Sequence, residues 1–368
     1  MTEDLKYKIA LSLVPKVGHV IAKKLVSHIG SFEGVFKESK SNLLKIPSIG
    51  QILANSITNT DALLKADEEV AFIQKNNLTT TFYLDKEYPE RLKYCDDSPI
   101  LIYTKGIANF NTKKVISIVG TRKATLNGIG FCEELVKKFA ERNHAPLIVS
   151  GLAYGIDAAA HSAALANNLQ TVAVLGHGLD IIYPASHKKL AKDIISNGAL
   201  VTDFPSKSIR DKNNFVKRNR IIAGLADATI VIESGGKGGS LVTADIANSY
   251  NRDVFAVPGR ITDESSIGCN NLIKSNKAAM LTSIEDVEYL LGWDVEEKNR
   301  EVVQRNLFVD LTNEEKRIVD ILSNKEGLSI DLICVKSNMP TSKASPILLS
   351  LEFKGLVRPL PGKIYQLI

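Results

Sequence analysis

Between residues 115 and 281 the sequence sets short runs of β-branched and other apolar residues (115–119, 147–149, 171–175, 199–202, 228–233, 253–257 and 278–281) between stretches long enough for helices. The helix candidates are 126–142, 156–167, 187–197, 217–225, 240–250 and 283–291. A run that is apolar throughout has no face for water, so each strand must be covered on both sides, and the intervening helices supply that cover. The expected fold is α/β, an extended Rossmann-like, doubly wound, mostly parallel sheet. Ligands of such sheets sit at the carboxyl ends of the strands, so the loops there are the ones to inspect.

Those loops are rich in small residues. Gly120-Thr121-Arg122 follows the first run, Ser150-Gly151-Leu152-Ala153-Tyr154-Gly155 the second, and Gly176-His177-Gly178 the third. Residues 234–240 read Ser-Gly-Gly-Lys-Gly-Gly-Ser, with Thr243 just beyond. Small residues let backbone N–H groups approach an anion at a helix N-terminus, so the pattern suits a phosphate. It does not suit a nucleotide hydrolase of the Walker A type, because neither Gly-Lys pair (236–237, 362–363) is followed by Ser or Thr. A dinucleotide fingerprint is also absent: Gly128-Ile129-Gly130 lies inside a helix candidate and lacks the third glycine.

The formal charge of the whole chain is +5, and residues 205–220 (PSKSIRDKNNFVKRNR) alone carry six cations against one acid. One basic segment on an otherwise neutral chain points to a defined anionic ligand; a solvated surface loop would carry the same charge. With Phe215 available to stack on a base, the segment and the strand-end loops suit single-stranded nucleic acid. No apolar run is long enough to cross a membrane, and the Met-Thr-Glu-Asp start is acidic where a secretory leader is basic. Cys95, Cys132, Cys269 and Cys334 lie far apart without a ligand spacing, so no disulfide and no zinc site is expected, and a reduced cytoplasm is. Asp157 and His161 share a helix face; an acid/base or metal pair is one reading, and a helix-capping Asp with a packed His is the other. We expect no metal, no cofactor and no catalytic residue.

Two flanking regions complete the organisation. Residues 13–25 are echoed by 44–57, each with an apolar residue, a glycine (Gly18, Gly50) and a helical run, which resembles a helix-hairpin-helix that grips backbone phosphate; a helical packing domain is the alternative. Residues 293–310 are polar, of mixed charge and without period, and read as a linker. From residue 311, Thr312 as an N-cap, helices at 329–336 and ending near Phe353, and a Pro-Gly turn outline a winged helix. Its third helix offers Lys343 and Lys354 as cations, which favours a protein contact or structural support over groove reading. The domains expected are 1–75 helical, 80–292 core, 293–310 linker and 311–368 winged helix.

Seven ordered runs carry a family resemblance: Tyr88-Pro-Glu-Arg-Leu92, Val119-Gly-Thr-Arg122, Ser150-Gly-Leu-Ala-Tyr-Gly-Ile-Asp157 with His161, Val174-Leu-Gly-His-Gly-Leu-Asp180, Arg218-Asn-Arg-Ile-Ile-Ala-Gly-Leu225, Gly239-Ser-Leu-Val-Thr-Ala244 and Phe255-Ala-Val-Pro-Gly259. The chain resembles the DprA (Smf) family, the DNA-processing proteins of natural transformation. The resemblance implies an extended Rossmann core that binds and protects single-stranded DNA without sequence preference. It also implies a homodimer formed through about 253–282, and loading of RecA recombinase onto strands covered by single-strand-binding protein. Carried over to this chain, Arg122 holds a phosphate beside the amides of Gly120, Ser150 and Gly151. Lys212 and Phe215 contact backbone and base, Lys217, Arg218 and Arg220 line the same groove unless one arginine orients the loop internally, and Ser240 and Thr243 close the pocket. Gly238-Gly239-Ser240 replaces a frequent Ser-Gly-Ser, and Asn276-Lys277-Ala278 a frequent Gly-Ala, so a phosphate contact and the dimer details differ here. A rival enzyme reading is a phosphoribohydrolase-like nucleotide-processing protein, which needs a Glu where this chain has Thr243. A second rival is a protein-docking adaptor.

Overall fold

The computed structural model describes residues 2–209, 211–293, 311–323, 327–360 and 364–367. Of the expected linker, Trp293 packs against Phe139 and His144 of the first unit, and residues 294–310, like Arg210 and the Pro361-Gly362 turn, lie outside the described residues. The chain divides into two compact units, Met1–Glu296 and Glu297–Ile368.

The first unit is built on a nine-stranded sheet: β1 Thr79–Phe82, β2 Leu101–Gly106, β3 Val115–Val119, β4 Leu147–Ser150, β5 Thr171–Val174, β6 Gly198–Thr202, β7 Ala228–Val231, β8 Asp253–Ala256 and β9 Ala279–Met280. The order is β1-β2-β6-β5-β4-β3-β7-β8-β9. From β6 to β9 every pairing is parallel, whereas β1 with β2 and β2 with β6 are antiparallel. The fold is the doubly wound α/β sheet expected. Its antiparallel edge, β1 and β2, lies outside the expected runs: β1 is Thr-Thr-Thr-Phe, and the apolar start of β2 is followed by no helix before β3.

Alternation along the buried strands sorts the core. Val115, Val119, Val149 and Val174 face the helices Lys212–Leu225 and Gly239–Ser249, while Ile116, Ile118, Ile148 and Ile230 face the helices Leu126–Glu141 and Ile156–Ala166. Successive side chains point to opposite faces of a strand, so strands buried on both faces, with the few hydroxyls paired as Ser117 is with Thr229, fit only a sheet sandwiched between two helical layers.

The N-terminal helices include His19–Ile29 and Gln51–Thr58, which start at Gly18 and Gly50 as the repeat predicts. Lys16 and Ser48 occupy matching left-handed positions two residues before those glycines, so the sequence echo is an echo in backbone geometry. These helices share one core with the sheet edge, where Ile9, Leu25, Ile57 and Ile73 pack with Phe82, Leu101 and Tyr103.

The second unit is a winged helix. Helices Asn313–Leu322, Ile330–Ser337 and Thr341–Phe353 pack on a three-stranded sheet of β10 Leu328–Ser329, β11 Val357–Leu360 and β12 Ile364–Leu367. Thr312 caps the first helix in a capping box with Glu315. Lys343 pairs with Glu314 at 2.6 Å and Lys354 with Glu315 at 2.7 Å, so both cations of the third helix are engaged within the unit.

Candidate nucleic-acid interface

The strand order turns at β3 and β7. From β3 the chain winds outward through β4, β5 and β6, and from β7 it winds the other way through β8 and β9. At such a switch point the loops leaving neighbouring strands part and open a crevice at the carboxyl ends. Here it is a cleft of about 560 Å³.

Three segments bring cations to it. Arg122 comes from the loop after β3, Lys237 from the glycine loop after β7, and Lys212 from the start of the helix Lys212–Leu225. Asp211, the one acid of the basic segment, caps that helix by accepting from the Asn213 N–H at 2.7 Å, which sets Lys212 at its first position. Helical spacing then carries Phe215, Val216 and Asn219 onto the same cleft-facing side. Phe215 lies against Tyr183 with ring centroids 5.7 Å apart, and the Arg122 guanidinium sits 5.9 Å from its ring centre. Asn219 donates to the Gly239 carbonyl at 3.2 Å and so ties this helix to the glycine loop.

The far wall is the start of the helix Gly239–Ser249. The Ser240 hydroxyl donates to Ser234 Oγ at 3.0 Å, and the Thr243 hydroxyl to the Gly239 carbonyl at 3.1 Å. Both line the cleft, and the first amides of the helix, which have no intrahelical partner, lie beside them. Gly120 lines the opposite side, where a Cβ would run into the Ile156 side chain, and Gly155 takes a positive φ (75°) to start the helix Ile156–Ala166 beneath it.

Beneath the cleft two buried opposite charges, which the sequence does not reveal, face each other without a direct hydrogen bond. Asp157 is buried, accepts from the Ala153 N–H at 3.3 Å, and faces the buried Arg218. Burial pushes the Asp157 carboxyl up against the pull of the Arg218 charge, and burial likewise pulls the Arg218 guanidinium down while Asp157 holds it up. Arg218 Nη1 donates to the Gly151 carbonyl at 2.7 Å and also to that of Val174. Asp157 is therefore not the helix cap; Gly155 is, and Asp157 balances Arg218. His161 is packed, fully buried, with Nδ1 at 2.7 Å from Thr171 Oγ1.

The basic segment does not face the cleft as a unit. Arg218 lies at the cleft's base with its guanidinium turned to backbone carbonyls, Arg220 is buried against Asp203 and the Asp97 carbonyl, and Lys217 is exposed away from the cleft lining. Lys207 pairs with Glu68 at 3.0 Å. Ser150 is fully buried with its hydroxyl donating to the Ile118 carbonyl at 2.6 Å, and Gly151 serves through its carbonyl. The structure thus gathers Gly120, Arg122, Lys212, Phe215, Ser240 and Thr243, with Arg218 beneath them, and sets Ser150, Lys217 and Arg220 apart. It adds Tyr183, Asn219 and Lys237. Of these only Lys237 had a local signal, a cation between two Gly-Gly pairs. Among the described residues no group of three or more His, Cys, Asp or Glu side chains is placed to hold a metal ion, and no helix is long and apolar enough to cross a membrane.

Known proteins share this sheet and its flanking units. Residues 79–292 match the family described as DNA recombination-mediator protein A, 309–363 the DprA winged helix domain, and 8–69 a helix-hairpin-helix motif. Protein Smf of Synechocystis is 31% identical over 98% of both chains. The crystal structure of DNA processing protein A from Streptococcus pneumoniae is similar with a TM-score of 0.65 and 32% identity, over 77% of this chain and 95% of that one. A structure of the Helicobacter pylori protein, described for its single-stranded DNA binding mode, has a TM-score of 0.53 and 27% identity, over 58% of this chain and 95% of that one.

Proposed function

Since the chain belongs to the DprA (Smf) family of DNA-processing proteins, we propose that it binds and protects single-stranded DNA without sequence preference and loads RecA onto strands covered by single-strand-binding protein during natural transformation. The observation that carries this reading is the convergence of Arg122, Lys212 and Lys237 with Phe215 and Tyr183 on one cleft at the sheet's switch point. The cations and helix amides neutralise backbone phosphates, and the rings stack on bases of any identity, which gives binding that tracks length rather than sequence.

The role is that of a binder rather than an enzyme. A phosphoribohydrolase-like reaction needs a free carboxylate three residues after Ser240, where Thr243 stands with its hydroxyl on a backbone carbonyl. Asp157, which also lines the cleft, is buried, accepts from the Ala153 N–H and faces the Arg218 charge. A homodimer through about 253–282, which contains β8 and β9, would present two clefts to one strand and raise avidity through effective concentration. We place the protein in the cytoplasm.

Arg122→Ala and Lys212→Glu should each weaken binding to an oligo-dT strand by more than about tenfold, and lower the salt slope by roughly 0.7 for each phosphate no longer neutralised. Fluorescence anisotropy across a salt series measures both. Duplex DNA of equal length should bind more weakly, and RecA filament assembly on protein-coated strands reports the loading step. Two folded variants with wild-type affinity would rule out the cleft as the strand-binding site.

A further inference from the structure

The loop that carries Tyr183 to the cleft has a second side. There a cavity of about 550 Å³ opens between the helix Ala62–Lys75, the helix Lys188–Ser196 and strands β2 and β6. Its floor is apolar, formed by Phe72, Ile181, Ile182 and Ile195, and three lysines surround it: Lys105, Lys188 and Lys192.

Among the described residues none of these lysines makes an ion pair, whereas Lys6, Lys8, Lys207 and Lys277 are all engaged. Asp180 is the one acid in the lining. Cations left unpaired around a low-dielectric concavity concentrate positive potential there. Lys188 and Lys192 lie one helical turn apart, about 6 Å between Cβ atoms, and Lys105 stands across from them on β2, paired in register with Leu200 of the cavity wall. Cations on two sides of an apolar floor match a ligand that repeats an anionic edge and an apolar face. Every unit of a single-stranded polynucleotide carries both, one phosphate and one base, whereas a peptide carries them only where its sequence happens to alternate acidic and apolar residues.

We propose that this groove is a second subsite for single-stranded nucleic acid, taking the nucleotides that leave the switch-point cleft past Tyr183. It rests on the reading of that cleft as a strand-binding site. The loop after β5 lines both, with Tyr183 on the cleft and Leu179, Ile181 and Ile182 on the groove.

The test compares the full chain with the double variant Lys188→Glu/Lys192→Glu, with Arg122→Ala and with Lys212→Glu, using oligo-dT of about 5 and about 20 nucleotides. Both lysines are exposed and unpaired, so an unchanged melting temperature is expected. The double variant should bind the short strand like wild type, bind the long strand at least tenfold more weakly, and lose about 1.4 from its salt slope. Arg122→Ala and Lys212→Glu should each weaken binding of both strands. A double variant that keeps wild-type affinity and slope for the long strand overturns the groove and leaves the cleft standing. Folded Arg122→Ala and Lys212→Glu proteins that both bind the two strands normally overturn the cleft, and the groove proposal with it. Poly-glutamate binding that the double variant loses, with long-strand binding intact, gives the groove to an acidic peptide and also overturns the proposal.

Discussion

Arg218 and Lys212 belong to one basic stretch and serve opposite ends. Lys212 stands at the exposed start of a helix where its charge opposes the helix dipole, an arrangement that costs about 0.3–1 kcal/mol and makes sense for a residue that meets an anion. Arg218, six residues on, is buried, bound to the Gly151 and Val174 carbonyls, and faces the Asp157 charge. Removing it would strand a buried carboxyl, so Arg218→Ala should cost about 3–5 kcal/mol in urea unfolding. Arg218→Met combined with Asp157→Asn should recover much of that loss, since the carboxylate then no longer needs a counter-charge. Arg122→Ala, at an exposed site, should leave the unfolding midpoint in place while lowering DNA affinity.

Within the helix Ile156–Ala166, His161 makes the fold sensitive to acid. Thr171 donates its hydroxyl proton to the Ile148 carbonyl at 2.9 Å, so His161 Nδ1 must be the donor to Thr171, and its Nε2 is left unprotonated and without a partner. Burial, with the Arg218 charge, pushes its pKa down from 6.5 to about 3. The unfolded chain therefore takes up a proton near pH 6.5 that the native protein refuses. The stability this contributes is complete above about pH 6.5 and falls by about 1.4 kcal/mol per pH unit as the medium is acidified toward pH 4. Urea midpoints between pH 7 and 4.5 should show this slope, and His161→Gln should flatten it. Element by element, the parallel strands and their helices were legible because both faces of each strand are buried and the apolar runs are continuous. The helix that carries Lys212 was not, because its first turn is polar and its start depends on the Asp211 cap. A helix starting at 217 would leave the cations in one patch, whereas the helix from 212 turns Lys212, Lys217, Arg218 and Arg220 to different sides.

At the scale of the whole molecule, the two units make different demands. The N-terminal helices complete the core around Phe82, Leu101 and Tyr103, so a chain lacking residues 1–75 should expose that edge and aggregate, whereas one ending at residue 296 should keep the melting temperature of the first unit and its oligo-dT binding. Light scattering and thermal unfolding distinguish the two outcomes. The sequence by itself determined the sheet class, the strand-end loops, the repeated hairpin and the winged helix, because periodicity and glycine placement act over a few neighbouring residues. Only the tertiary structure decided which cations reach the cleft. That choice depends on the strand order reversing between β3 and β7, on Asp157 lying beneath Arg218 and Asp203 beside Arg220, and on Tyr183 swinging in from β5. Each is a contact between segments far apart in the chain, and charge counted along a sequence cannot distinguish a lysine that waits for a phosphate from an arginine already holding the fold together.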